Sequence, residues 1–229
     1  MKMTNNNAVG FYLVLYNMVC LFTCFVLIIE IFKYTTDRKL NVSDYHRYDE
    51  FYKTNQHSVK LFEGLQAAHI IHGLLGISKF RHHTFVNIMI ANWMVWGVIE
   101  IQNTHYIIFY WILIRIASRL IKHVYNIYIN MGMRFQIVWL DYFRFTSFYL
   151  MLPLEVMCSY LVIYFLFSDI RLNGPKFFKI ESIDFVVDYT LLIFMYFTIS
   201  IPNLFNTFSY LHDKRIQLLQ LYREKYIDD

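Results

Sequence analysis

The chain has 229 residues, 57% of them hydrophobic and 17% charged, with a mean hydropathy of +0.36, which is more apolar side chain than one soluble core can bury. At about 20 residues per membrane-spanning helix, about five to seven helices would use most of the length and leave no room for a separate soluble domain. The net charge of +4 comes without a run of consecutive basic residues or a basic-aromatic motif, which argues against nucleic acid as a partner.

Six apolar runs follow one another. The first, Gly10 to Phe32, is too long for the apolar core of a cleaved signal and lacks a small-residue cleavage site, so it reads as a retained span. It carries YLVLYN (Tyr12 to Asn17), then Cys20 and Cys24 one turn apart. With no Cys/His ligand spacing around them, these two and Cys158 read as small buried hydrophobes. A polar segment, Lys33 to Lys60, is expected to be a connector. The second run, Leu61 to Ser78, contains LFEGLQAAHIIHGLLG with Glu63, His69 and His72. A turn, KFRHH, with His82 and His83, leads to the third run, Thr84 to Ile101. The nearest acid to these histidines is Glu63, so satisfied polar residues in a bundle are expected there and no metal site.

A short turn at Gln102 and Asn103 precedes the fourth run, Tyr106 to Ile127, and a loop near Gly132 precedes the fifth, Phe143 to Phe167. The fifth holds RFTSFYLMLPLEV, from Arg144 to Val156. After Asn173, Gly174 and Pro175 comes the sixth run, Phe185 to Leu211, which passes into an amphipathic tail with Ile216, Leu218, Leu219 and Tyr222 suited to a membrane surface or a partner. In hydrocarbon every backbone polar group must be satisfied internally, so runs of this length without strand alternation are predicted to be helices. Counted by loop, lysine and arginine divide almost evenly between the two faces, with Arg144 left inside a span, so the charge rule gives no orientation.

These motifs resemble those of the very-long-chain 3-hydroxyacyl-CoA dehydratases, once called protein tyrosine phosphatase-like A proteins. YLVLYN is similar to the YLxLYN that opens the family's first helix. The second run fits FFQTxALLExxHxxxG at Phe62, Ala67, His72 and Gly76, with Glu63 at the glutamine and His69 at the glutamate. The third ends on the family's VW as Val95 and Trp96, but Ala91 stands where the family has arginine. The last run matches at Asp188, Tyr189, Ile201, Pro202, Tyr210, Lys214 and Arg215. The fifth fits RYTLFYxLYPxGxxxE at Arg144, Phe145, Thr146, Phe148, Tyr149, Met151 and Pro153.

The resemblance implies a catalytic tyrosine and, seven residues later, a catalytic glutamate in that fifth helix. In the register that keeps Arg144 and Pro153 those positions are Leu152 and Ser159, with Glu155 at the family's glycine. A second register puts Tyr149 at the tyrosine but Leu150 at the proline and Val156 at the glutamate. The family's E-x-x-R-Y of the fourth helix is met by Ser118 or Arg119 at the glutamate, and by Ile121 or Lys122 at the arginine. Dehydration needs a base for the C2 proton and an acid for the leaving hydroxyl, each typically worth about 10² to 10⁴ in rate. Leucine cannot move a proton, and serine without an activating base is a poor acid or base. Tyr149 and Glu155 could serve as a shifted pair with Arg144 nearby, but six helical positions leave them about 120° apart. The plainer roles are a packed aromatic for Tyr149, and for Glu155 a carboxylate paired with Arg144, with a basic residue of the fourth helix, or with water. Ala91, Leu152 and Ser159 together predict a drier cleft than an active enzyme would have.

The expectation is thus an all-α, six-helix polytopic membrane bundle, one dehydratase-like domain over residues 1–229, without cofactor or metal. Its expected function is that of a catalytically degenerate relative acting as a scaffold or accessory subunit. The alternative is an active lyase of fatty acid elongation using Tyr149 and Glu155. Membrane lipid and other membrane proteins are the expected partners, with acyl-CoA a further candidate. The resemblance implies the endoplasmic reticulum membrane or one derived from it, with both termini cytosolic.

Overall fold

The computed structural model describes residues 7–37, 51–78, 81–99, 106–131, 138–174, 177–180 and 185–226. In chain order these form α1 (Asn7–Asp37), α2 (Phe51–Leu74), α3 (His82–Trp93) running directly into a π-helical stretch (Met94–Ile99), α4 (Tyr106–Asn130), α5 (Val138–Thr146), α6 (Phe148–Asn173), β1 (Phe177–Ile180), β2 (Phe185–Asp188) and α7 (Tyr189–Tyr226). α5 and α6 make one rod interrupted at Ser147, whose backbone (φ −58°, ψ −25°) stays right-handed. Among the described residues these elements make a membrane bundle of six helical rods. Three of them, over residues 8–36, 140–173 and 189–220, are long and apolar enough to cross a membrane. The turns expected at Gln102 and Asn103 and near Gly132 lie outside the described residues.

α4 is the hub, packed against α1, α2, α5 and α6. Its Trp111, Ile112 and Ile116 are almost wholly buried, together with Phe62 of α2 and Leu166 of α6. The π-helical stretch lies against the same core, with Met94, Val95, Val98 and Ile99 at zero exposure. A π turn disturbs the regular backbone ladder, and two of the carbonyls here take hydroxyl donors from other helices. Tyr52 donates to the Val95 carbonyl at 3.3 Å and Tyr189 to the Gly97 carbonyl at 3.4 Å.

Three features differ from the sequence expectation. First, the polar connector does not reach Lys60, because α2 begins at Phe51, with a kink at Asn55 (φ −111°, ψ 18°). Burial overrides the polar local sequence: Phe51 packs edge-on against Tyr34 and Phe109, and Ser58 donates to Glu30 at 2.7 Å. Second, Phe185–Asp188 is not the start of the last helix but a strand paired antiparallel with Phe177–Ile180, in the register Phe177↔Asp188 and Ile180↔Phe185. Asp188 then caps α7, its carboxylate accepting from the Thr190 N–H at 2.8 Å. Third, α7 runs past Leu211 to Tyr226, since no glycine or proline follows Pro202 to stop it. At the other end of the second rod, Gly76 (φ 70°) closes α2 with Ile77 N–H bonded to the His72 carbonyl at 2.9 Å, an end that favours glycine because the left-handed conformation costs it nothing.

Candidate functional site

The interior of the bundle holds a three-residue ionic cluster that joins α2, α4 and α6. Arg115 donates through Nε to Glu63 Oε1 at 2.7 Å and through Nη2 to Glu63 Oε2 at 2.6 Å, while Nη1 donates to Glu155 Oε1. Arg115 and Glu63 are 3% and 1% exposed, and Glu155 is 22% exposed. The fork geometry of guanidinium suits this bidentate pairing. Arg115 also lies over the Trp111 ring, 5.2 Å from its centroid. Two carboxylates against one guanidinium leave a negative charge, and α4 supplies the balance. Arg119 and Lys122, at i+4 and i+7 from Arg115, point along the same face; Arg119 lies within electrostatic reach of Glu63 and Glu155, and Lys122 of Arg119 and Arg144.

A neutral network continues from this cluster into α1. Gln66 Nε2 donates to His123 Nε2 at 3.0 Å, so His123 carries its proton on Nδ1, which donates to Asn17 Oδ1 at 2.9 Å. Asn126 donates to the same oxygen at 3.2 Å. Tyr12 and His72 Nε2 share a hydrogen bond of 2.7 Å, and Tyr16 donates to the Leu65 carbonyl at 2.9 Å. The polar residues of YLVLYN are therefore the clamps that hold α1 to α2 and α4. A second polar clasp joins α3 to α7, where Asn203 donates to Asn87 at 2.7 Å and Asn87 to Thr207 at 3.1 Å.

The residues singled out from sequence do not converge on one cavity. Tyr149 turns to α7, its hydroxyl sharing a 2.5 Å hydrogen bond with His212 Nδ1. Of the partners the sequence left open for Glu155, Arg115 is the one it takes. Arg144 is half-buried with its guanidinium over Phe145, 5.9 Å from the ring centroid. Ser159 is buried and committed: it accepts from Trp111 Nε1 at 2.9 Å and donates to the Glu155 carbonyl at 2.8 Å. Leu152 lines an apolar groove between α6 and α7. Ala91 is 2% exposed in α3. Among the described residues no three His, Cys, Asp or Glu side chains are grouped to hold a metal; His69 and His72 sit with ring centroids 6.3 Å apart, and His83 packs on Tyr210.

Sequence reasoning left Arg115 unnamed among the basic residues of the fourth helix and missed Gln66, His123 and Tyr196. Tyr196 of α7 is 6% exposed, faces Ser159 and lies within electrostatic reach of Glu155. A signal existed for the first of these: Arg115, Arg119 and Lys122 were counted with the outer faces of the membrane, yet all three belong to α4, and charges inside a span face inward. The interior accordingly keeps its charge even though the aligned positions Ala91, Leu152 and Ser159 have none.

A helical membrane bundle with a closed ionic core, joined by polar clamps from its first helix, defines the class. The family profile described as protein tyrosine phosphatase-like protein, PTPLA, matches residues 63–221, and the chain belongs to that family. No curated protein and no solved structure matches it.

Proposed function

We propose that the chain is a catalytically silent member of its dehydratase-like family, serving as a scaffold or accessory subunit of a membrane complex in the endoplasmic reticulum or a membrane derived from it. The observation that carries this reading is the separation of Tyr149 and Glu155, the shifted pair that the sequence offers on α6 in place of the family's. Glu155 is held by Arg115, and Tyr149 is held by His212 on another helix. Six positions on one helix also separate them by about 9 Å along the axis. A proton-transfer pair has to address one substrate carbon and the hydroxyl beside it, which these two partners work against.

A second reading, an active lyase, draws on Tyr196, whose phenol faces Ser159 and comes near Glu155. Charges within a membrane mark function by default, and the outward member of the ionic cluster is Glu155. Purified protein given a 3-hydroxyacyl-CoA decides between the two. The silent reading expects no dehydration above background and no change on Glu155→Gln. The active reading expects turnover that falls by about 10² or more in both Glu155→Gln and Tyr196→Phe, and that result would end the proposal. The scaffold role further requires that the protein leave mild detergent together with other membrane proteins and lose them when an exposed helix face is altered.

A further inference from the structure

α6 and α7 run antiparallel, with Tyr149 beside His212 and Tyr160 beside Phe197, and a groove of about 860 Å³ lies between them. Its walls include Leu152, Val156 and Tyr164 from α6 and Phe197, Phe205 and Phe208 from α7, and no charged side chain lines it. Tyr164 and Phe205 are 64% and 66% exposed, so the groove opens sideways to the surrounding lipid. Two observations limit its occupant. No glycine, alanine or serine lines the walls, and helices that pack in lipid need such small residues for their backbones to approach; a thin, flexible chain does not. The twelve positions from Leu152 to Tyr164, at about 1.5 Å each, span about 18 Å, close to the depth of one leaflet of an about 30 Å hydrocarbon core.

The polar chemistry lies at one end. One turn before Leu152 on α6 comes Tyr149, and one turn after Phe208 on α7 comes His212, the two joined by their 2.5 Å hydrogen bond. Phe208 ties groove to polar end, edge-on to Tyr149 at 5.5 Å and stacked on His212 at 6.5 Å. Above them Arg215 spreads over the rings of Tyr149 and Tyr142, at 5.1 and 5.8 Å. Its Nε is buried without a hydrogen-bond partner; the guanidinium meets the Tyr149 and Tyr142 hydroxyls, and among the described residues no carboxylate pairs with it. Aromatic rings with an arginine at the end of an apolar face are the arrangement of a membrane interface.

We propose that this groove holds one acyl chain of an anionic membrane phospholipid, with the phosphate-bearing head group at Arg215 and the Tyr149–His212 pair. The site lies outside the ionic cluster, so it goes beyond the question of catalysis. The test is lipid retention by the full-length protein in neutral detergent, read by native mass spectrometry after addition of phosphatidylglycerol, phosphatidylcholine of the same chains, or a free fatty acid. Phosphatidylglycerol should be retained over phosphatidylcholine. Arg215→Gln should cut that preference about fivefold, the ratio that corresponds to about 1 kcal/mol per interfacial basic residue, and Arg215→Lys should restore part of it. Val156→Trp, which fills the groove from its wall, should remove retention of both lipids while the protein keeps its melting behaviour. Equal retention of the two phospholipids, an unchanged preference in Arg215→Gln, retention of the fatty acid alone, or a dimer that Val156→Trp dissolves would each overturn the proposal.

Discussion

Arg115 and Glu63 are joined by two parallel hydrogen bonds of 2.7 and 2.6 Å, with neither side chain more than 3% exposed. Such a pair is costly to desolvate and strongly destabilising to break from one side only, because the remaining charge is left in low dielectric. Its position makes it the junction of α2, α4 and, through Glu155, α6.

Arg115→Met should therefore lower stability by about 3 to 5 kcal/mol, read as unfolding of the detergent-solubilised protein. Glu63→Gln should cost less, since Arg115 keeps Glu155. The replacement of all three by leucine and methionine should come close to wild type or above it, because matched apolar side chains carry no desolvation cost. A harmless Arg115→Met would show that the ion pairs do not hold the helices.

The clamps from α1 make a second prediction. Asn17 is 3% exposed, and its Oδ1 accepts from both His123 and Asn126. Asn17→Leu strands the His123 N–H, a buried donor whose loss of partner costs about 1 to 3 kcal/mol. In the His123→Leu background that cost should shrink, since the stranded donor is gone. A double-mutant cycle on unfolding free energies measures the coupling, and strictly additive effects would count against the network.

Several of these relationships were within reach of the sequence and others were not. The helices were legible because long apolar runs in lipid have one backbone solution. The polar face of α4 was legible too: Arg115, Arg119 and Lys122 repeat at helical spacing inside an apolar run, although a count of charges by loop hid them. Their partners were not legible, because Glu63 and Glu155 lie 52 and 40 positions from Arg115 and only packing brings them together. The start of α2 was hidden by KTNQHSVK, which is polar in composition while its neighbours Phe51 and Tyr52 are buried. The hairpin was hidden for a different reason, since four-residue apolar segments such as Phe185–Asp188 do not distinguish strand from helix by periodicity.

Burial of the thiols leads to a simple labelling experiment. Cys20 and Cys24 have zero exposure and Cys158 has 6%. A maleimide too polar to enter hydrocarbon should leave all three unlabelled in the folded protein and react with all three after denaturation in a strong detergent. Labelling of Cys20 or Cys24 in the folded state would mean that α1 does not sit against α2 and α4.

The π-helical stretch offers the sharpest steric test. A Cβ added at Gly97 would sit 3.3 Å from both Cδ1 and Nε1 of Trp93, closer than van der Waals contact, so the indole has to move. It has little freedom to do so, because its ring lies 5.3 Å from that of Tyr196, itself buried beside Ser159. Overpacking of this kind costs about 1 to 3 kcal/mol, and Gly97→Ala should destabilise by that order in detergent unfolding. The same Gly97→Ala change in a Trp93→Leu background should cost much less, since the clashing atoms are gone and the two sites are in contact. If Gly97→Ala is neutral in both backgrounds, the close approach of Trp93 to the π turn is wrong.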